Sequence, residues 1–253
     1  MYIWEVSMKK LGLAAGALLL SAGAVFYTFL ENSFFVQLAG VEDHISGAVH
    51  EVATDEAKVA LTFNVSWGDE RPEEVFSLLE EENVPEAAFF LSGAWSERHP
   101  ELVEDINESR YTIGHHGYEY KPYPAWEEEE IMQDLRKGSH TLQEITGEQP
   151  AFFRPPAGAL DTRVLEAAES QGLTTIQWSV DGQDWENPGT DQVIERISES
   201  VSPGAIIMMD ASDQSKQVTG ALPKILDVLE QQGYDVVGLK ELLHEADIEV
   251  REL

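Results

Sequence analysis

Apolar and polar positions along the chain switch repeatedly between a two-residue and a 3.6-residue period, and the switches predict strands alternating with helices. Residues 58–65 (KVALTFNV) are rich in β-branched and aromatic side chains and read as a buried strand. Pro72 opens a helix through about residue 82, since a proline in the first turn lacks an N–H that would have no partner there. Further expectations are a strand at 86–91 (EAAFFL), a short helix at 100–109 and a strand near 111–114. Residues 126–146 return to the helical period, with Ile131, Leu135 and Leu142 on one side and Gly147 as the stop. The alternation then repeats. A strand at 151–154 precedes a helix capped by Asp161 and ending before Gly172; a strand at 173–180 precedes a helix capped by Thr190. A strand at 205–209 (AIIMM), a helix at 217–232, a strand at 234–237 and a helix from about Lys240 complete the series. Seven strands alternating with helices predict an α/β domain on a largely parallel sheet. The periodicity alone fits an open doubly wound sheet or a barrel.

Segment 11–30 follows neither period. Its twenty residues carry no charge and would span ~30 Å as a helix, about the thickness of a bilayer core. Lys9 and Lys10 precede it and Glu31 follows, which keeps the short leading tail in the cytoplasm; Trp4 and Tyr27 lie near its ends. The expectation is a single-pass membrane anchor with the domain outside the cytoplasm. The alternative is a signal peptide cleaved near Ala22-Gly23-Ala24, giving a secreted protein. The domain plan is therefore a tail and anchor over 1–30, a linker or initial hairpin over 31–56, the α/β domain over 57–245 and a tail over 246–253.

Of 253 residues, 43% are hydrophobic and 9% aromatic, which excludes wholesale disorder. The 47 acidic and 16 basic residues give a net charge of -31, so nucleic acid is excluded as a partner by repulsion from its phosphates. The absence of cysteine excludes disulfides, thiol catalysis and zinc–thiolate sites.

In parallel α/β folds, chemistry gathers where strands end. Here Asn64 closes the first strand, with Trp67-Gly68-Asp69-Glu70 beyond it. His115 and His116 follow the third strand, Arg154 ends the fourth, Asp181, Asp184 and Trp185 follow the fifth, and Asp210 follows AIIMM. Adjacent histidines on an extended chain point in opposite directions, so one of the pair at most faces a pocket. Asn64 and Asp210 each follow a buried apolar run and need partners.

Five segments, LTFNVSWGDE (61–70), GHHGYEY (114–120), FRPPAG (153–158), WSVDGQDW (178–185) and IIMMDAS (206–212), resemble the signature segments of the NodB-homology polysaccharide deacetylases, carbohydrate esterase family 4. FFLSGAWSERHPE (89–101), PGTDQ (188–192) and the uncharged N-terminal segment extend the likeness toward the PdaB-like sporulation deacetylases. The resemblance covers about residues 58–243. It implies a deformed (β/α)7 barrel, cell-wall peptidoglycan as the partner, and hydrolysis of N-acetyl groups by a divalent metal, an aspartate base and a late histidine acid.

Carried over position by position, the resemblance puts the base at Asn64, the metal ligands at Val65, His116 and Tyr120, and the orienting arginine at Arg154. Asp184 matches the aspartate that modulates the acid, and the late histidine falls on Asp210. An amide does not accept a proton from water near neutrality, and valine offers a metal nothing. One imidazole does not hold zinc, which takes three protein ligands in catalytic sites. The expectation is a family member acting on or binding N-acetylated cell-wall glycan with a degenerate, inactive centre, the alternative being a non-catalytic glycan-binding or structural protein of the cell or spore envelope. No resident cofactor is expected, zinc or cobalt entering only if Asp69, Asp184, Asp210, His116 and His115 converge on a relocated site. A second expectation is that Asp210 replaces the missing base carboxylate as the ionic partner of Arg154. Trp67, Tyr118 and Trp185, with Trp95 and Tyr120, are candidate sugar platforms, the alternative for each being core packing.

Overall fold

The structure is a computed structural model that describes residues 47–244 and the backbone of 247–251. The anchor expected at 11–30 lies outside the described residues; among those described, no helix is long and apolar enough to cross a membrane.

The sheet begins with β1 (Ala48–Ala53) and β2 (Lys58–Val65), followed by helix α1 (Arg71–Glu81) and strand β3 (Ala88–Leu91). Helices α2 (Gly93–Ser96) and α3 (Pro100–Glu108) lead to β4 (Thr112–His115), and α4 (Glu128–Thr146) leads to β5 (Phe152–Phe153). Then come α5 (Thr162–Glu169), β6 (Thr174–Ile176), β7 (Val180–Asp181), α6 (Thr190–Ser200) and β8 (Ile206–Asp210). The chain continues through α7 (Val218–Gln231), β9 (Asp235–Val236), α8 (Leu239–His244) and β10 (Asp247–Arg251). Strand order is β10-β1-β6-β5-β4-β3-β2-β8-β7, with β9 beside the start of β2. Among the described strands every ladder is parallel except β1 with β10, and a single antiparallel bridge joins Glu51 of β1 to Ala205.

The strand expected at 173–180 is two strands. Its first half pairs with β5 and its second with β8, at opposite sides of the sheet. Between them the Gln177 N–H donates to Val49 O (2.7 Å) and the Ser179 N–H to Ile206 O (3.1 Å). One continuous stretch thus touches both sides, which requires the sheet to curl into a parallel half-barrel. The linker expected over 31–56 contains β1, and the tail over 246–253 contains β10. They pair with each other, a long-range match that local periodicity does not encode.

Period-2 alternation sorts β2 into two faces. Val59, Leu61, Phe63 and Val65 enter one apolar cluster with Leu79 of α1, Ile106 of α3 and Leu222 of α7. Ala60 joins a second cluster with Phe90, Ile176 and Ile206 on the inner face. Several helix ends follow their local chemistry. Glu127 and Glu130 form a reciprocal capping box on α4, and Gly147 ends that helix at φ +78°. Asp161 accepts the Val164 N–H at 3.2 Å to cap α5. Thr190 is the first residue of α6 instead of its cap, because Gly189 at φ +111° makes the turn.

Candidate functional site

The site occupies the C-terminal ends of the parallel strands. Asn64 is in register with Phe90 on β3 and with Asp210 on β8, so these three share one rung of the inner face. Arg154, just past β5, reaches beneath that rung. Its guanidinium is wholly buried and lies 4.0 Å from the Phe90 ring centroid. Nη1 donates to Asn64 Oδ1 (3.0 Å), Nη2 to Gln177 O (2.9 Å) and Nε to Ile176 O (3.3 Å). Burial without an ion-pair partner pulls its pKa down to about 9, with Asp181 opposing, so it remains charged near neutrality. Asp210 does not take the place of the missing base carboxylate as an ionic partner of Arg154. The amide of Asn64 does the hydrogen bonding instead, and Asp210 turns to its own loop.

Asp210 Oδ1 accepts the Ser212 N–H (2.6 Å), and Oδ2 accepts Gln214 Nε2 (2.9 Å). Behind it, Asp184 accepts the Asp210 N–H through both oxygens (3.2 and 3.1 Å) and the Ser215 hydroxyl. Burial pushes the Asp184 carboxyl up to about 7, the Ser215 bond pulling it back and the charge of Asp210 adding to the rise. Burial also raises Asp210, against its bonds to Ser212 and Gln214. The polar run that follows AIIMM (DASDQS, 210–215) was the sequence signal for these partners; it did not reveal that Ser212, Gln214 and Ser215 turn inward.

The two histidines diverge as strand alternation requires. His115 packs on the Phe153 ring (5.0 Å) and faces Gly138 of α4, where a Cβ would stand 2.8 Å from its Nδ1. His116 turns inward and its Nδ1 lies 2.6 Å from Arg154 O. A carbonyl only accepts, so Nδ1 carries the proton and Nε2 is a lone pair. That Nε2 is buried without a hydrogen-bond partner. Burial takes the pKa of both imidazoles down to about 3, leaving them neutral. Tyr120 sits over His116 (ring centroids 4.8 Å) beside Ser66 and the Ala157 backbone, with φ +51°, uncommon for a non-glycine residue. Burial raises its phenol, and the charge of Asp210 raises it further.

These residues do not fit the metal that the family resemblance implies. Val65 packs among Phe63, Phe89 and Leu91 on the helix side of β2. Tyr120 keeps its proton, and His116 alone presents a nitrogen. The relocated site does not form either. Asp69, with 86% of its side chain exposed, pairs with His99 Nε2 at 2.8 Å, and His115 lies in the helix layer. Among the described residues, no three of His, Asp or Glu come together to share an ion.

The rim carries two exposed tryptophans. Trp67 and Trp185, exposed by 44% and 43%, are the exposed large hydrophobic side chains of the described residues. Trp95 is instead a core residue, its Nε1 donating to Gly68 O at 2.7 Å. Tyr118 is half-buried, with Lys137 Nζ 3.4 Å from its ring centroid and Gly93 so near that a Cβ there would lie 2.7 Å from its Cδ2. Both exposed tryptophans belong to loops fastened to segment 210–216. Asp213 accepts the N–H groups of Asp69 (3.0 Å), Glu70 (3.2 Å) and Arg71 (2.8 Å). Gly68, at φ +106°, passes so near Asp213 that a Cβ would lie 2.6 Å from its carboxyl carbon. On the other side, Asn187 Nδ2 donates to Gln214 O and its Oδ1 accepts the Lys216 N–H, both at 2.9 Å.

Solved structures share this curled half-barrel of parallel strands. The CE4 family pseudoenzyme BA3943 of Bacillus anthracis superposes with a TM-score of 0.73 at 29% identity, covering 78% of this chain and 69% of that one. The Bc1960 peptidoglycan N-acetylglucosamine deacetylase gives a TM-score of 0.75 at 27% identity, over 81% and 96%. Residues 51–176 match the polysaccharide deacetylase family. A peptidoglycan-N-acetylglucosamine deacetylase of Bacillus cereus is 31% identical over 76% of this chain and 91% of its own. The chain therefore belongs to the polysaccharide deacetylase family. It is also 28% identical to the uncharacterized protein YlxY of Bacillus subtilis, of which the match spans 59%.

Proposed function

We propose that this protein binds hexosamine glycan of the cell wall without hydrolysing its N-acetyl groups by the metal chemistry of its relatives. The observation that carries this reading is the Asn64–Arg154 hydrogen bond. At the base position an amide faces a buried guanidinium through its oxygen, an arrangement that fixes the groove and accepts no proton from water. The likeness to a family pseudoenzyme and to peptidoglycan deacetylases supports both halves of the reading. Trp67 and Trp185 supply apolar faces on which sugar rings stack. The uncharged segment 11–30 would tether the domain outside the cytoplasm, and the resemblance to sporulation deacetylases would put its work in the spore envelope. A fusion whose C-terminal reporter resists protease added to intact cells stripped of their wall would overturn the external placement.

The test of function is acetate release by the full chain from muropeptides and N-acetylglucosamine oligomers, with zinc, cobalt or manganese added, beside a binding titration on the same glycans and their de-N-acetylated forms. The expected result is no acetate and saturable binding to glycan. Metal-dependent acetate release would overturn the non-catalytic reading, and absence of binding to every glycan would overturn the recognition.

A further inference from the structure

Some relatives of this chain are named peptidoglycan-N-acetylglucosamine deacetylases, and removal of the acetyl group of that sugar leaves a primary amine, protonated near neutrality. An acetamide offers one N–H donor and one carbonyl acceptor, whereas an ammonium offers three donors and no acceptor. The two forms therefore need opposite surroundings.

The mouth is furnished for the donor. His116 Nε2 is a buried lone pair with no partner, its tautomer fixed by the Nδ1 bond to Arg154 O. Asp210 stands where the resemblance puts the histidine that would protonate the departing amine. It makes its described hydrogen bonds to Ser212 N–H and Gln214 Nε2, with no cation within salt-bridge distance among the described residues. Tyr120 links the two, its ring over His116 and its phenol in the field of Asp210. The buried cation Arg154 directs Nε, Nη1 and Nη2 to Asn64 and two backbone carbonyls. An acetyl oxygen brought here would meet the carboxylate and the imidazole lone pair, with no metal ligand set to offset them. An ammonium would give His116 Nε2 the donor it lacks and Asp210 the cation it lacks, and the net charge of -31 attracts it from a distance.

We infer that the mouth recognises the de-N-acetylated form of the glycan, with the hexosamine ammonium held between Asp210 and His116 Nε2. This rests on the glycan-binding reading above and names the chemical form that reading leaves open. In these terms the domain consumes no substrate of a deacetylase and reads the product of one.

The experiment is a tryptophan-fluorescence titration of the full chain with glucosamine oligomers and N-acetylglucosamine oligomers of equal length. The buffer keeps the amine protonated, and the series is repeated at raised salt. The amine form is expected to bind at least about tenfold more tightly, the scale of one charge-assisted hydrogen bond. Asp210→Asn, which keeps an oxygen for Ser212, should bring the two affinities level. Should that variant not fold, His116→Leu, which removes the lone pair but keeps apolar bulk, must shrink the same preference. Equal affinities for the two glycans in the unmodified chain would overturn the inference and leave glycan binding intact. A preference that persists in the variants would also overturn it, by assigning the amine to diffuse surface charge. Binding to neither glycan would remove both this inference and the function on which it rests.

Discussion

The floor of the mouth and its rim are held by opposite arrangements of charge. On the floor, a buried guanidinium is satisfied by an amide and two carbonyls, while two carboxylates behind it are satisfied by backbone N–H groups, a hydroxyl and an amide. No ion pair joins them within 4 Å among the described residues, so each charge leans on neutral dipoles. On the rim, Asp213 draws three successive backbone N–H groups together, and Asn187 staples a second loop to the same segment. The contrast teaches that the mouth keeps its buried charges without ion pairs. Each charge is satisfied locally by neutral partners, and the rim presents two tryptophans.

The strongest way to break this comparison is to remove the floor's cation. Arg154→Ala leaves Asn64 Oδ1, Ile176 O and Gln177 O without their donor and opens a void against Phe90. The expected loss of stability is about 4 kcal/mol, read from urea denaturation. Arg154→Lys should recover only a minor part, because an ammonium lacks the planar fork that reaches three acceptors. A loss below about 1 kcal/mol would mean that the guanidinium is not holding the floor.

Much of this floor was legible in the sequence, and the reasons mark where legibility stops. KVALTFNV and AIIMM announce their strands through apolar content, which is local, and Asn64 and Asp210 stand out because polar groups that end such runs need partners. The opposed directions of His115 and His116 follow from period 2. The partner of Arg154 is not legible there, because whether an arginine finds a carboxylate or an amide depends on which strands are neighbours. The strands at 48–53 and 247–251, within a stretch that reads as a linker or initial hairpin and within a tail, escape local periodicity for the same reason, since each is short and finds its partner some 200 residues away. Trp95 looked like a sugar platform until its indole N–H proved to be committed to Gly68 O.

Asp184 offers a sharper, pH-dependent test of the floor. Its carboxyl titrates at about 7 in the folded chain and near 3.9 when unfolded. Between those values the folded state holds a proton that the unfolded state has released, so stability falls as pH rises from about 4 to about 7. Asp184→Asn removes this dependence. The stability of the variant relative to the unmodified chain should rise across that window by up to about 4 kcal/mol, followed by denaturation at several pH values. His115 and His116, held neutral with pKa values of about 3, act in the opposite sense, losing stability as pH falls below about 6.5. They are present in both proteins and cancel in the difference. A flat difference would mean that Asp184 is ionised throughout and that the two floor carboxylates do not repel.

The smallest expected effect belongs to the rim, and it separates fastening from folding. The Asp213 carboxyl is held below its ordinary value: burial pushes it up, and the N–H bonds from Arg71, Asp69 and Glu70 prevail. Its contribution is therefore present above about pH 4 and fades as pH falls through the folded value. Asp213→Ala should cost about 1–2 kcal/mol, the scale of a lost helix cap. More telling is where the loss appears. Amide exchange at Asp69, Glu70 and Arg71 should accelerate by about tenfold or more, while Lys216, held by Asn187, keeps its protection. Glycan affinity should fall through the Trp67 side of the mouth, so that adding Trp67→Ala to Asp213→Ala weakens binding less than it does alone. Uniform acceleration across both loops would instead make segment 210–216 a single hinge, and the two tryptophans would then move together as one lip of the mouth.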